Sequence, residues 1–240
     1  MKINNELPIM PHGTALVTGA SHGIGLAVTK KLLSAGYEVY GIGRSFDDSL
    51  ESEAFHWLSF DLCDVKRLPA YLKENVPKDI RVLVNCAGAA YYGMHETLSS
   101  EAIHEMVTVN VEVPLLLCNL YLPGMRVQGG SIVNISSVTA KLSNNTHGCA
   151  YGATKAALTH FSDALFEETR KSGVRIITIH PDLTDTKLYR NADFRPGDET
   201  DTVLQPEEIA DAVLYALKAR DGMVVNDITL RPQRNHIIRK

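Results

Sequence analysis

A tyrosine and a lysine stand four residues apart in the segment Tyr151-Gly-Ala-Thr-Lys155, at the start of a stretch with helical apolar spacing. If residues 148–172 form a helix, positions i and i+4 lie one turn apart on one face, so the phenol and the ammonium group can share a small site. A neighbouring cation favours the phenolate and lowers the pKa of a tyrosine. The pair therefore indicates proton transfer by Tyr151 with help from Lys155. Because the same spacing also occurs by chance on helix surfaces, the surrounding elements must support this interpretation.

A glycine-rich turn near the N-terminus predicts a site for a phosphate-bearing ligand. Residues 14–18 read as a buried strand, the motif Gly19-x-x-x-Gly23-x-Gly25 follows, and helical spacing runs from Leu26 to Ala35. Glycines permit close backbone approach, and a helix N-terminus directs N–H groups and partial positive charge at a pyrophosphate. The spacing differs from the common GxGxxG fingerprint, so a tight packing turn without a ligand is the alternative.

The end of the second predicted strand, residues 39–43, bears on the choice of cofactor. It is followed by Arg44-Ser45 and not by an acidic residue. In this architecture an acid there binds the ribose hydroxyls of NAD, whereas an arginine accommodates the 2′-phosphate of NADP. An acid close to that phosphate would cost on the order of 4 kcal/mol at an effective dielectric of 20. Arg44, with Ser45 and His22 beside it, therefore predicts NADP, the alternative being a solvated loop arginine.

Strand-like and helix-like segments alternate along the chain and predict a single α/β domain with a doubly wound parallel sheet. The further predicted strands are residues 54–60, 80–84, 131–135, 174–179 and 222–230, and the further predicted helices are residues 65–75, 99–122 and one that opens at Gln205. Residues 1–12 are expected to form a tail. Residues 187–204, rich in charge and containing Pro196-Gly197, are expected to form a mobile loop or substrate lid.

Composition argues against several classes of protein. The 240 residues are 45% hydrophobic and 22% charged with a net charge of −4, which gives no electrostatic argument for nucleic acid or an anionic membrane. Four separated cysteines and nine histidines lack metal-ligand spacing, so we expect free thiols and no metal site. The N-terminus lacks a signal-peptide core, and we expect no apolar run to be long enough to cross a bilayer. A cytoplasmic location is the prediction.

In this order, the motifs resemble those of the short-chain dehydrogenase/reductase family, in its shorter single-domain form, from about Gly13 to Leu230. The glycine turn matches the family's cofactor turn, and the segment Asn85-Cys-Ala-Gly88 matches its Asn-Asn-Ala-Gly motif with one substitution. The family's catalytic tetrad corresponds to Asn110, Ser137, Tyr151 and Lys155. The cofactor contacts that the resemblance implies are Gly19, Ser21, His22, Gly23, Ile24, Gly25, Arg44, Ser45, Asp61, Leu62, Asn85, Ala87, Gly88, Tyr151, Lys155, Pro181, Thr184 and Thr186.

The resemblance implies an NADP(H)-dependent oxidoreductase that interconverts a small-molecule carbonyl and a secondary alcohol by hydride transfer. Tyr151 is then the general acid or base, and Ser137 hydrogen-bonds the reacting oxygen. Lys155 lowers the pKa of Tyr151 and binds the nicotinamide ribose, while Asn110 holds a water that connects Lys155 to solvent. Asp61 contacts the adenine. The family also implies a homodimer or homotetramer.

Three features depart from the family pattern. Pro181-Asp182 replaces the usual Pro-Gly, so Asp182 is either a turn former that points away or a contact for a polar substrate group such as an amine. The loop before Tyr151 is slightly long, which leaves open whether Ser136 or Ser137 faces the site, and we choose Ser137. Because the chain ends shortly after its last strand, residues 187–204 are expected to provide any substrate cover.

Two rival functions remain open at this stage. A 3-ketoacyl-carrier-protein reductase would need a basic surface for its acidic carrier, which Arg126, Arg170 and Lys171 could supply, although a solvated face explains the same residues. A regulatory protein that binds NADPH without turnover is the rival from another class. An intact proton-transfer set argues against it, because a sensor has no need of one.

Overall fold

The computed structural model describes residues 13–46, 50–142 and 144–240, so the predicted tail of residues 1–12 lies outside it. The strands are β1 (Thr14–Thr18), β2 (Glu38–Gly43), β3 (Phe55–Ser59), β4 (Val82–Asn85), β5 (Gly130–Ile135), β6 (Val174–Pro181), β7 (Phe194–Pro196), β8 (Asp227–Leu230) and β9 (Ile237–Arg239). The α-helices are α1 (Gly23–Ser34), α2 (Leu68–Asn75), α3 (Ser100–Val107), α4 (Val113–Gln128), α5 (Cys149–Thr169) and α6 (Pro206–Leu217). Shorter helical turns are His95–Thr97, Thr108–Glu112, Val138–Lys141, Arg170–Ser172 and Lys187–Asn191.

Seven strands form one parallel sheet in the order β3-β2-β1-β4-β5-β6-β8, with helices on both faces. Alternate residues of β1 point to opposite faces: Ala15 and Val17 join a core with α1 and α6, whereas Leu16 joins a core with α2, α4 and α5. Burial on both faces explains why the central strands read as continuous apolar runs. The predicted doubly wound α/β domain is confirmed.

The predicted helix of residues 99–122 is one element of a longer run. Helices α3 and α4 are continuous through a π-helical turn at Thr108–Glu112. Pro114 lacks an N–H and cannot donate the α-helical hydrogen bond to the carbonyl of Asn110, which favours a widened turn here. By length and composition the run Ser100–Gln128 could cross a membrane, so the expectation that no segment qualifies is wrong. Half of its apolar window is buried inside the fold, as in the core helix of a globular domain.

The predicted lid contains regular structure and is held by the C-terminal segment. Strand β7 pairs in antiparallel fashion with β9, with Arg195 opposite Ile238. The Lys240 ammonium group donates to the carbonyls of Tyr189 (2.9 Å) and Ala192 (3.0 Å). The C-terminal residues therefore add a strand beside residues 187–204, a pairing that the sequence did not predict.

Candidate active site

One cavity of about 500 Å³ lies at the carboxyl ends of the parallel strands. Most of the predicted site residues line it: Gly19, Ser21, His22, Gly23, Ile24, Gly25, Arg44, Asp61, Leu62, Ala87, Gly88, Ser137, Tyr151, Lys155, Pro181, Thr184 and Thr186. The three that do not line it are Ser45, Asn85 and Asn110. Ser45 is exposed beyond the rim, next to Arg44.

The Asn85 side chain faces the core and not the cavity, and a contact of its backbone with the cofactor stays a prediction. The register of β4 and β5 places it beside Asn134, and its Nδ2 donates to Asn134 Oδ1 at 2.7 Å. Asn134 Nδ2 in turn donates to the Ser162 hydroxyl on α5 at 2.8 Å. This buried chain of hydrogen bonds ties α5 to the sheet, and so helps to place the tyrosine at the start of that helix.

Asn110 is fully buried in the π-helical turn and its side chain is already engaged. Oδ1 accepts from the Ala89 N–H (2.8 Å), while Nδ2 donates to the Ala89 carbonyl (2.8 Å) and to Thr154 Oγ1 (2.9 Å). The side chain thus fastens the turn after β4 to helix α5. A water held by this residue would have to contact its backbone carbonyl, and the water-holding role of Asn110 stays a prediction.

The glycine turn brings β1 and the turn after β4 into close contact. Gly19 and Gly23 have φ values of +69° and +50°, which favour glycine, and a Cβ on Gly25 would lie 2.2 Å from the Gly19 carbonyl oxygen. The Thr18 hydroxyl accepts from the backbone N–H groups of Cys86 (3.0 Å) and Ala87 (3.1 Å). A side chain at Gly19 or Gly25 would therefore collide with neighbouring backbone, so the turn presents its backbone to this end of the cavity.

Helix α1 begins at Gly23 with no side-chain cap and no acidic residue in its first turn. Its free N–H groups and the positive end of its dipole therefore lie beside the glycine turn, which fits the pyrophosphate of a dinucleotide. At the adjoining corner, Ser21 Oγ lies 2.8 Å from His22 Nδ1, and Arg44 is exposed at the end of β2. Three groups able to donate hydrogen bonds to a phosphate thus share one end of the cavity.

At the other end, Tyr151, Ser137 and Lys155 converge as predicted. The Ser137 hydroxyl accepts from the Thr139 N–H (3.2 Å), which leaves its hydrogen free to donate, and it is close enough to the Tyr151 phenol to lower the pKa of that phenol. The Lys155 ammonium group is 5.9 Å from the centroid of the Tyr151 ring and donates to the Ile135 carbonyl at 2.8 Å. All three residues are less than 10% exposed.

Burial dominates the ionisation of this pair. It raises the pKa of Tyr151 above its ordinary value, with a further increase from Tyr189, and the Ser137 hydrogen bond only partly opposes it. The net pKa of Tyr151 therefore lies above its ordinary value, and the lowering by Lys155 that the family resemblance implies stays a prediction. Burial also lowers the pKa of Lys155 to about 8. Tyr151 is consequently a protonated phenol at neutral pH, suited to donating a proton.

Ser136 and Ser137 point in different directions. The Ser136 hydroxyl donates to the Lys155 carbonyl (3.1 Å) and lies 2.8 Å from Thr159 Oγ1, so it is turned toward helix α5. Ser137 is the one beside the phenol. The geometry agrees with the choice of Ser137 from the sequence.

Asp182 lines the cavity, but its carboxylate serves its own turn. Oδ1 accepts from the Leu183 N–H at 2.9 Å, and Oδ2 lies 3.9 Å from Arg231 Nε. The side chain is 14% exposed. These contacts favour the turn-forming alternative over a contact with a substrate amine.

An aromatic wall above the phenol was not predicted from the sequence. The Tyr92 ring lies 5.8 Å from Tyr151, 6.1 Å from Tyr189 and 5.0 Å from Phe194, measured between centroids. Ile237 of β9 also lines the cavity. The aromatic residues in the segment 187–204 could have indicated this wall from the sequence. No local pattern indicates Ile237, because its position at the cavity depends on the pairing of β9 with β7.

No group of three or more metal-ligating side chains occurs within residues 13–46, 50–142 and 144–240. Four cysteines in these ranges are free: Cys63, Cys86, Cys118 and Cys149.

Comparison with known proteins places this geometry in a family. The short chain dehydrogenase model matches residues 13–195. An uncharacterized oxidoreductase of Staphylococcus haemolyticus is 31% identical over 227 residues, covering 91% of this chain and 96% of the relative. Among solved structures, an alcohol dehydrogenase from Thermococcus sibiricus complexed with 5-hydroxy-NADP is 26% identical, with a TM-score of 0.82 over 93% of this chain and 98% of the other.

A 4-hydroxyisoleucine dehydrogenase complexed with NADH shares the fold at 20% identity, with a TM-score of 0.79 over 92% of this chain and 97% of the other. The solved neighbours thus include complexes with both nicotinamide cofactors. The extent of these matches and the convergence of the motif residues on one cavity lead to one assignment. The chain belongs to the short-chain dehydrogenase/reductase family and is an oxidoreductase.

Proposed function

We propose that this oxidoreductase uses NADPH to reduce a carbonyl compound to a secondary alcohol, and NADP to oxidise the alcohol in reverse. The observation that carries the proposal is the buried phenol of Tyr151, which has a serine hydroxyl and an ammonium group beside it at one end of the dinucleotide-shaped cavity. The cofactor supplies the hydride. The chain supplies the proton and the position of the carbonyl.

Tyr151 donates its phenolic proton to the carbonyl oxygen, since burial keeps it protonated at neutral pH. Ser137 donates a hydrogen bond to the same oxygen and stabilises the charge that develops there. Lys155 places a positive charge 5.9 Å from the ring, which favours the phenolate left behind after proton transfer. Asn110 supports the set by fastening α5 to the turn after β4 and offers its backbone carbonyl to a water that can resupply the proton.

The residues along the cavity suit the parts of the cofactor in order. Asp61 and Leu62 lie at the adenine end, and Ala87 and Gly88 form a turn for a ribose. The remaining residues assigned to the pyrophosphate and the nicotinamide half are Gly19, Gly23, Ile24, Gly25, Tyr151, Lys155, Pro181, Thr184 and Thr186. The preference for NADP rests on one corner, where Ser21, His22 and Arg44 can donate to a 2′-phosphate.

The substrate side of the cavity supports a carbonyl compound with an apolar body. Tyr92, Tyr189 and Phe194 form its aromatic wall, and Val138, Leu142 and Ile237 add aliphatic surface. Residues 187–204 act as the lid, with β9 as its second strand. A wall of this kind orients the body of a substrate by shape and contact area. The hydrogen bonds to the substrate are then those that Tyr151 and Ser137 make to its reacting oxygen.

Neither rival function gains support. Arg126 and Arg170 are paired with Glu168 and Glu167 at 3.0 Å each, so two of the three basic groups on this surface, which also carries Lys171, are already neutralised. A regulatory protein without turnover would have no use for a serine, a phenol and a lysine that converge on one point. Cytoplasmic location and assembly as a homodimer or homotetramer stay predictions from the family.

The test is consumption of NADPH, with NADH in parallel, against a panel of aldehydes, ketones, diketones and ketoacyl thioesters. The proposal predicts turnover that prefers NADPH and aryl or alkyl ketones. A ketoacyl thioester as the sole substrate would favour the carrier-linked rival, and tight NADPH binding without turnover of any compound would favour the sensor.

A further inference from the structure

A buried histidine lies directly behind the serine of the active site. His180, the penultimate residue of β6, has no solvent exposure, and its Nδ1 is 3.1 Å from the backbone carbonyl oxygen of Ser137. A carbonyl can only accept, so Nδ1 carries the hydrogen and donates it. Burial lowers the pKa of His180, which keeps the ring neutral at pH 7. The bond therefore fixes the backbone from which the Ser137 hydroxyl extends.

The far side of the ring meets a charged pair that leads back to the same turn. His180 Nε2 lies 3.1 Å from Asp227 Oδ2, but in a neutral ring with its hydrogen on Nδ1 both atoms are acceptors, so no hydrogen bond joins them, and Nε2 has no hydrogen-bond partner among the described residues. Asp227 receives the Lys141 ammonium group at 2.7 and 2.8 Å, and Lys141 also contacts Thr229 Oγ1 at 3.0 Å. These charged groups on β8 and on the turn Val138–Lys141 are the ones that face the ring.

Two contacts tie the short helical turn after Ser137 to the sheet. Ser137 caps this turn and its carbonyl is bound by His180, while Lys141, which ends the turn, is bound by Asp227. One end of the turn is held by β6 and the other by β8. A catalytic hydroxyl must be placed to within a fraction of an ångström, and a turn without such ties would let it drift.

We propose that His180 is a positioning residue for Ser137, and that the ion pair of Lys141 and Asp227 holds the other end of the same turn. This inference rests on the proposed function, because it assigns His180 an effect only through the serine hydroxyl. It predicts that loss of the Nδ1 donor lowers turnover, while the glycine turn and the start of helix α1, which lie at the other end of the cavity, keep the affinity for NADPH.

The test uses two variants of similar polarity that differ in where the amide lies. H180N can place its amide nitrogen near the Nδ1 position and retain the donor, whereas H180Q places it near Nε2 and loses the bond to Ser137. We expect H180Q to lower kcat by about 10- to 100-fold, H180N to remain within about threefold of wild type, and both to bind NADPH normally. Equal kcat values for the two variants would overturn the proposal.

A double-mutant cycle separates positioning from a general loss of stability. If His180 acts through the serine, H180Q should lower kcat little further once S137A is present. Additive losses in S137A/H180Q, with S137A itself impaired, would overturn the positioning role and leave the proposed chemistry intact. Full activity of S137A would instead overturn both. K141M alters a partly exposed residue at the other end of the turn. It should lower kcat by a few-fold with unchanged NADPH affinity. A loss of NADPH affinity with unchanged kcat would contradict the role of the Lys141–Asp227 ion pair.

Discussion

Removal of the Arg44 guanidinium should weaken binding of NADPH selectively. A phosphate monoester carries close to two negative charges at neutral pH. Arg44 is exposed, so the dielectric constant of water applies to its interaction with the phosphate. Under that condition two opposite unit charges about 4 Å apart attract each other by roughly 1 kcal/mol. The R44A variant should therefore lose about 2 kcal/mol of binding free energy for NADPH, which is roughly a 30-fold rise in Kd. NADH lacks the 2′-phosphate, and its Kd should change by less than about twofold.

The assay is a fluorescence titration of both cofactors at low and high salt. Screening weakens an exposed contact, so the preference of the wild type for NADPH should fall between about 0.05 and 0.5 M salt, and that of R44A should change little. R67A is a matched control, because Arg67 is an exposed arginine that pairs with Asp64 and does not line the cavity. Equal weakening of NADPH and NADH in R44A would refute the assignment of this corner, as would an unchanged ratio.

Three further predictions concern the catalytic end. The value of kcat/KM for NADPH should fall above pH about 8, where Lys155 loses its proton, and a profile flat to pH 10 would contradict the role of its charge. S137A should lower kcat/KM by about 100-fold and S136A by no more than a few-fold, and the reverse order in steady-state assays would exchange their roles. F194A and I237A should raise KM for a bulky ketone about tenfold without changing the Kd of NADPH, and an unchanged KM would remove the lid from the substrate site.

The sequence predicted features that depend on neighbouring residues. The glycine turn, the arginine after β2 and the pair Tyr151 and Lys155 could be read locally, because strand–turn–helix geometry and the helical i,i+4 spacing place them without knowledge of distant contacts. The sheet followed from continuous apolar strands separated by helical segments. Element ends were less accurate: the predicted strand 222–230 pairs with β6 only over its last residues.

The missed features depend on contacts between distant parts of the chain. Asn85 faces the core because its strand is in register with Asn134, 49 residues later. Ile237 reaches the substrate side only through the pairing of β9 with β7. The pKa of Tyr151 depends on how deeply the fold buries it, and a local pair of charges gives no measure of burial.

The central claim is that Tyr151 donates the proton during hydride transfer, and single-turnover kinetics of Y151F tests it most directly. Enzyme preloaded with NADPH is mixed with a reducible ketone, and the loss of NADPH absorbance is followed beside a fluorescence titration of cofactor affinity. We predict that Y151F binds NADPH within about threefold of wild type and that its rate of hydride transfer falls by at least about 100-fold. A transfer rate close to that of the wild type, with cofactor binding intact, would contradict the assignment.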